Sequence, residues 1–184
     1  QRKLTANSLL SVCFVLSALT ALPQPFLIGN STLHLTDSQR GNRRITAEVY
    51  YPASAQGRDV PVAGGDGSKF PVLCFGHGYL LPGKAYRNIW EGVVPAGYIV
   101  VFPKKEKGMF PSHRQLAEDL AFVLNHFRLA GKQEGSLFYE RISETNCCMG
   151  HSMGGGSAVL AAGMDPTIGA LALLAPYDTH PSAI

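Results

Sequence analysis

Charge is scarce in this sequence. Lys, Arg, Asp and Glu supply 16% of the 184 residues, against 46% hydrophobic. Disordered tails and long coiled coils need far more charge than that, so the composition is that of one globular domain with enough surface to bury a core. The net charge is only +3. The positive residues are scattered, at Arg2 and Lys3, then Arg40, Arg43 and Arg44, then Lys104, Lys105 and Lys107. No basic stripe interleaves with aromatics, so nucleic acid is not an expected partner. Cysteine is sparse too, with four in all: Cys13, Cys74, Cys147 and Cys148. Their spacing fits no zinc site, and neither a metal nor a cofactor is expected. Cys147 and Cys148 would point to opposite faces of a strand, where a bond between them is strained. They and Cys74 read as small buried hydrophobes. Internal repeats and low-complexity tracts are also missing.

A long hydrophobic run is the other absence. The apolar stretch from Leu9 to Leu22 follows Arg2 and Lys3. It is short for a membrane span and about the length of a secretory signal. Residues 1–22 are therefore expected to direct export, to the periplasm or the medium, and the domain that follows should carry no stable membrane span. No clean cleavage site is present, and Gln1 rather than Met opens the sequence.

What is present is an alternation of strand and helix patterns. Ser31–Asp37 and Arg44–Pro52 alternate polar and apolar residues, as half-exposed strands do, and the turn-rich DSQRGNR between them permits an antiparallel pair. Ala53–Lys69 is rich in Gly, Pro and Asp and reads as a loop. Phe70–Phe75, Tyr98–Pro103, Thr145–Gly150 and Ile168–Pro176 are short apolar runs of the kind buried on both faces in parallel sheets. Between them lie helical patterns. YRNIWEGVV closes at Pro95 and Gly97. In SHRQLAEDLAFVLNHFRLAG, Leu116, Leu120, Val123, Leu124 and Phe127 share one face. Ser112 with Gln115 predicts a capping box there, and Gly131 a stop. GGSAVLAAG is the third helix. This order predicts an α/β domain over 31–184 with a mostly parallel sheet and helices on both faces.

One serine stands out. Gly150-His151-Ser152-Met153-Gly154 is a G-x-S-x-G motif between a buried strand and a helix. A sharp strand-to-helix turn would force Ser152 into a strained backbone shape and lift its hydroxyl above the carboxyl end of the sheet. Side chains two positions to either side would collide, hence Gly150 and Gly154. Ser152 is the expected catalytic nucleophile. The helix behind it begins with the amide of Met153, which can stabilise an oxyanion. A second donor is expected where FGHGYL leaves the strand ending at Phe75, and the amide of Tyr79 is assigned to it.

With these stretches, FGHGYL, PAGYIVVFP, GHSMGGGSA and LALLAPYD, the chain resembles the α/β-hydrolase superfamily. Within it the pattern is similar to the dienelactone-hydrolase-like esterases, which include polyester hydrolases and cutinases, chlorophyllases and platelet-activating-factor acetylhydrolases. TDSQRGNRRITAEVYYP resembles the edge-strand opening of that branch. The resemblance runs from about Leu33 to the last residue. It implies that His151 and Tyr177 line the substrate cleft, and that the substrate is a small or polymeric carboxylic ester.

A serine hydrolase also needs a base and an acid, which follow the serine in the order acid, then histidine. After Ser152 stand only Asp165, Asp178 and His180, and Asp178 and His180 are too near each other to come from separate strand ends. The triad acid and histidine are thus expected outside this chain, the α/β-hydrolase domain is expected to be incomplete at its C-terminal end, and the chain alone should turn over little. The other reading is a binding protein of the same fold that lacks acid and base. His77 is assigned to the oxyanion loop and His113, His126 and His34 to the surface.

Overall fold

The computed structural model describes residues 25–65 and 67–182. The expected signal, residues 1–22, and Cys13 lie outside them. Seven strands form one sheet: β1 (Leu27–Asp37), β2 (Arg43–Ala53), β3 (Gly57–Arg58), β4 (Phe70–Gly76), β5 (Ile99–Pro103), β6 (Ile142–His151) and β7 (Ala170–Leu174). Their spatial order is β3-β1-β2-β5-β4-β6-β7. The helices are α1 (Arg87–Val93), α2 (His113–Ala130) and α3 (Met153–Met164).

The first two strands form the expected antiparallel hairpin, paired from Leu27↔Ala53 to Asp37↔Arg43. Alternation dictates their faces: Ile45, Ala47, Val49 and Tyr51 are all fully buried, and the residues between them are not. Asp37 closes the hairpin by accepting the Gln39 amide at 3.1 Å, and Gly41 takes the left-handed conformation at φ 62°. The loop predicted over 53–69 is largely that, with the two-residue β3 pairing parallel to β1.

Strands β5, β4, β6 and β7 run parallel to one another, as continuous apolar runs require. The chain steps from β4 to β5 on one side and returns to β6 on the other, so the strand order reverses at β4. Such a reversal opens a crevice at the carboxyl ends of the strands. Tyr86, Phe75 and Phe102 belong to the core layer on one face of the sheet; α2 and α3 pack on the other, with Leu116, Leu120, Val123, Leu124 and Phe127 buried as the helical periodicity predicts.

Two expectations need correction. Ser112 caps α2 by accepting the Gln115 amide at 3.2 Å, but the reciprocal half of a capping box is missing. The Gln115 side chain accepts from Arg43 instead, and the Ser112 amide donates to Glu106 at 2.6 Å. A tertiary ion network outcompetes the local bond. The second concerns β7, expected to be buried on both faces. It lies at the sheet edge, and Leu171, Leu173 and Leu174 remain 42%, 38% and 38% exposed among the described residues. Strand composition sets pairing, but burial needs a layer packed over each face.

Candidate active site

Ser152 sits where β6 turns into α3. Its backbone is at φ 51° and ψ −120°, a conformation costly for a residue with a side chain. The surroundings hold it there. Its amide donates to the Leu174 carbonyl at 3.0 Å, and its own carbonyl accepts from Gly155, Gly156 and Tyr177. The elbow is thereby tied to β7 and to the segment after it.

The flanking glycines have no room for anything larger. A Cβ at Gly150 would lie 2.1 Å from the Gly154 carbonyl oxygen, and one at Gly154 would lie 2.0 Å from the carbonyl oxygen of Gly76. The second contact crosses from α3 to β4, so Gly154 is small because two elements meet there, beyond any need of the turn itself. Gly156 faces the Tyr177 carbonyl in the same way, at 2.2 Å.

A pocket of about 250 Å³ opens over the serine, lined by Tyr79, His113, Ser152, Met153 and Tyr177. Four of these five were singled out from the sequence. Met153 is the first residue of α3, so its amide has no intrahelical acceptor. Tyr79 is carried by the loop after β4. His77, 2% exposed, anchors that loop, with Nε2 2.7 Å from the Lys105 carbonyl oxygen and Nδ1 2.9 Å from that of Gly78. The Tyr79 hydroxyl reaches across to the Met109 carbonyl at 2.9 Å. Tyr177 is 62% exposed at the pocket wall, its ring edge-on to His113.

His151 is not among the lining residues of this pocket. Its Nδ1 lies 3.1 Å from the Tyr86 hydroxyl, which also accepts the Gly78 amide at 2.7 Å. Burial pushes the Tyr86 phenol upward, an effect the Gly78 bond offsets only in part, so the hydroxyl stays protonated.

His113 is the wall residue that sequence reasoning missed, because the helix period marks only its surface position. Its Nδ1 accepts the His180 amide at 2.8 Å. That bond leaves the proton of the neutral ring on Nε2, the wrong tautomer to take a proton from serine there. Asp178 accepts from the Ser182 hydroxyl at 3.0 Å. Among the described residues, no hydrogen bond joins an imidazole to Ser152, and no group of His, Cys, Asp and Glu could hold a metal ion. No described helix is long and apolar enough to cross a membrane.

No curated protein matches this chain. Among solved structures it is similar to a ferulic acid esterase from Streptomyces cinnamoneus, with a TM-score of 0.60 at 16% identity. The match covers 82% of this chain but 59% of that one, so the chain spans less than two thirds of the esterase's length. At that identity the likeness is one of fold, and it identifies the sheet and its helices as an α/β-hydrolase fold. The family model for chlorophyllase matches residues 49–175, a stretch that holds the elbow serine, both glycines beside it and the loop after β4: the chain belongs to the chlorophyllase family.

Proposed function

We propose that the protein is a carboxylic ester hydrolase that works through an acyl-enzyme on Ser152. The observation that carries this reading is the positive φ of Ser152 at the N-terminus of α3, in a pocket shared with Tyr79 and Met153. Strain of this kind persists where surroundings over-determine it, and it gathers at active sites. Family membership and the esterase fold neighbour support the same chemistry.

In the proposed cycle, Ser152 Oγ attacks the ester carbonyl carbon while its proton passes to a base. The carbonyl oxygen becomes an oxyanion, held by the amides of Met153 and Tyr79. The C–O bond breaks, and the alcohol leaves with the proton from the base. Water then adds to the acyl-serine, giving a proton to the same base, which returns it to Ser152 Oγ as the acyl C–O bond breaks and the acid leaves. No metal or cofactor takes part. The base and its carboxylate partner are proposed to lie outside the described residues, since His113 Nδ1 is taken by the His180 amide, His151 is paired with Tyr86 and His77 is committed to the loop. Tyr79, Met153 and Tyr177 favour an apolar or aromatic acyl group. Residues 1–22 would direct export, which the N-terminal residue of protein recovered from the medium reads directly.

The test uses a fluorophosphonate and a p-nitrophenyl ester on the complete protein, with the segment that supplies the acid and base included. Labelling on the Ser152 peptide is expected, with Ser152→Ala lowering turnover by about a thousandfold or more. The other reading is a binding protein of the same fold that lacks acid and base. Unlabelled Ser152 and no turnover, with an ester analogue still bound, would establish that reading instead.

A further inference from the structure

We propose that Tyr86 is a positioning residue for this hydrolysis, its hydroxyl bridging the loop after β4 to the residue before the nucleophile. The inference rests on the esterase reading above. Tyr86 ends a 3-10 turn (Gly83–Tyr86) and belongs to neither strand nor helix of the site. Its ring is 7% exposed and lies 4.5 Å from Phe75 and 6.3 Å from Phe102, centroid to centroid. The oxygen is thus delivered by a rigid aromatic stack rather than by a loop.

One hydroxyl then serves two backbone segments. It accepts the Gly78 amide at 2.7 Å and lies 3.1 Å from His151 Nδ1, to which the proposed bridge donates the phenol proton. Space enforces the same arrangement. A Cβ at Gly78 would stand 2.8 Å from His151 Nδ1 and 3.1 Å from the Tyr86 oxygen.

The consequence concerns which amide is free to meet an oxyanion. The Gly78 amide is consumed by Tyr86, so it cannot donate to substrate. On the other side of the same residue, the Gly78 carbonyl accepts from Leu81 at 3.1 Å. In a planar trans peptide the carbonyl and the next amide point in opposite directions. With the Gly78 carbonyl turned into the loop, the Tyr79 amide is turned out of it. Both peptide planes around Gly78 are fixed, one by Tyr86 and one by Leu81 together with the His77 ring, whose Nδ1 lies 2.9 Å from the Gly78 carbonyl oxygen. His151, one residue before Ser152, is held by the same oxygen. Tyr86 therefore keeps the Tyr79 amide and the serine in one register, and preorganised donors of this kind act on the transition state more than on bound substrate.

Tyr86→Phe keeps the ring on Phe75 and Phe102 and removes only the oxygen. In the complete protein, with its acid and base present, kcat and kcat/KM for a p-nitrophenyl ester should both fall about ten- to a hundredfold, with KM changed less than about twofold. A purely structural tyrosine would lower Tm and leave the rate per folded molecule unchanged; that result, or a rise in KM alone, overturns the proposal. The bridge has its own readout in 15N NMR. His151 should carry its proton on Nε2, and the Gly78 amide signal should move in Tyr86→Phe. A proton on Nδ1 in the parent, or an unmoved Gly78 amide, overturns the bridge even in an active enzyme. A parent with these NMR signatures that hydrolyses no ester overturns the esterase reading and with it the catalytic role of Tyr86, while the bond itself stands.

Discussion

At the scale of single residues, two glycines of one helix make opposite predictions. Gly154 meets the Gly76 carbonyl oxygen where a Cβ would be 2.0 Å away, and Gly163 meets nothing within 4 Å. Backbone cannot yield as a flexible side chain does, so Gly154→Ala must push α3 off β4. We expect a cost of about 3 kcal/mol or more, beyond ordinary overpacking, and loss of the elbow geometry. Gly163→Ala should instead stabilise by about 0.5 kcal/mol, because alanine loses less backbone entropy in a helix. Urea unfolding of both variants checks the pair. Equal effects would mean that the close approach of α3 to β4 is not the constraint. The pattern of small residues after Ser152 was readable in the sequence; which of them touches another element was not, since the partner, Gly76, is 78 positions away.

At the scale of elements, the hairpin is fastened to α2 by an ion network. Asp119 is fully buried, and its carboxylate receives Arg40 at 2.7 Å and Arg43 at 2.8 Å. Arg40 also reaches Asp37 at 2.6 Å, and Arg43 reaches Glu106 at 2.8 Å. Glu106 in turn holds the Ser112 amide that opens α2. The bond to Asp119 raises the Arg43 guanidinium still further above its ordinary range, against the opposing effect of burial. These arginines look like scattered surface charge in the sequence, and the helix period places Asp119 beside the buried stripe without naming a partner. Asp119→Ala strips both guanidinium groups of their shared acceptor. The expected cost is about 3 kcal/mol, in the range for breaking a buried pair from one side. A shift in the urea midpoint at unchanged slope would show it, whereas a change under about 0.5 kcal/mol would mark the network as solvated. The same scale explains the cysteines. Cys74 and Cys148 are neighbours across β4 and β6, both buried as free thiols, and burial pushes each thiol well up.

At the scale of the whole molecule, stability should depend on pH through His126. Burial lowers the pKa of this α2 histidine below its ordinary value of 6.5. The folded state therefore binds the proton less readily than the unfolded chain. Its stabilising contribution is complete above the unfolded value and is lost as pH falls through the folded one. Tm is expected to decline from neutral pH toward about pH 5, and His126→Gln should flatten that decline. An identical pH profile in the variant would assign the acid sensitivity to other groups. The exposed leucines of β7 belong to this scale as well. Pairing with β6 and contact with α3 still leave them partly exposed among the described residues, and composition could not reveal that.

The sequence by itself determined the order of strands and helices, the core stripe of α2, and the place of Ser152 between a strand and a glycine-rich helix. These are local properties: a period of two or 3.6, a run length, a turn that only small residues permit. Only the tertiary structure decided that the strand order reverses at β4, that His113 walls the pocket, and that His151 turns to Tyr86. It also decided that the predicted capping box gives way to Arg43 and Glu106. Each of these is a contact between residues far apart in the chain, where hydrogen-bond reach and shared space choose the partner, and neither quantity is written in the spacing of residues along one strand or one helix.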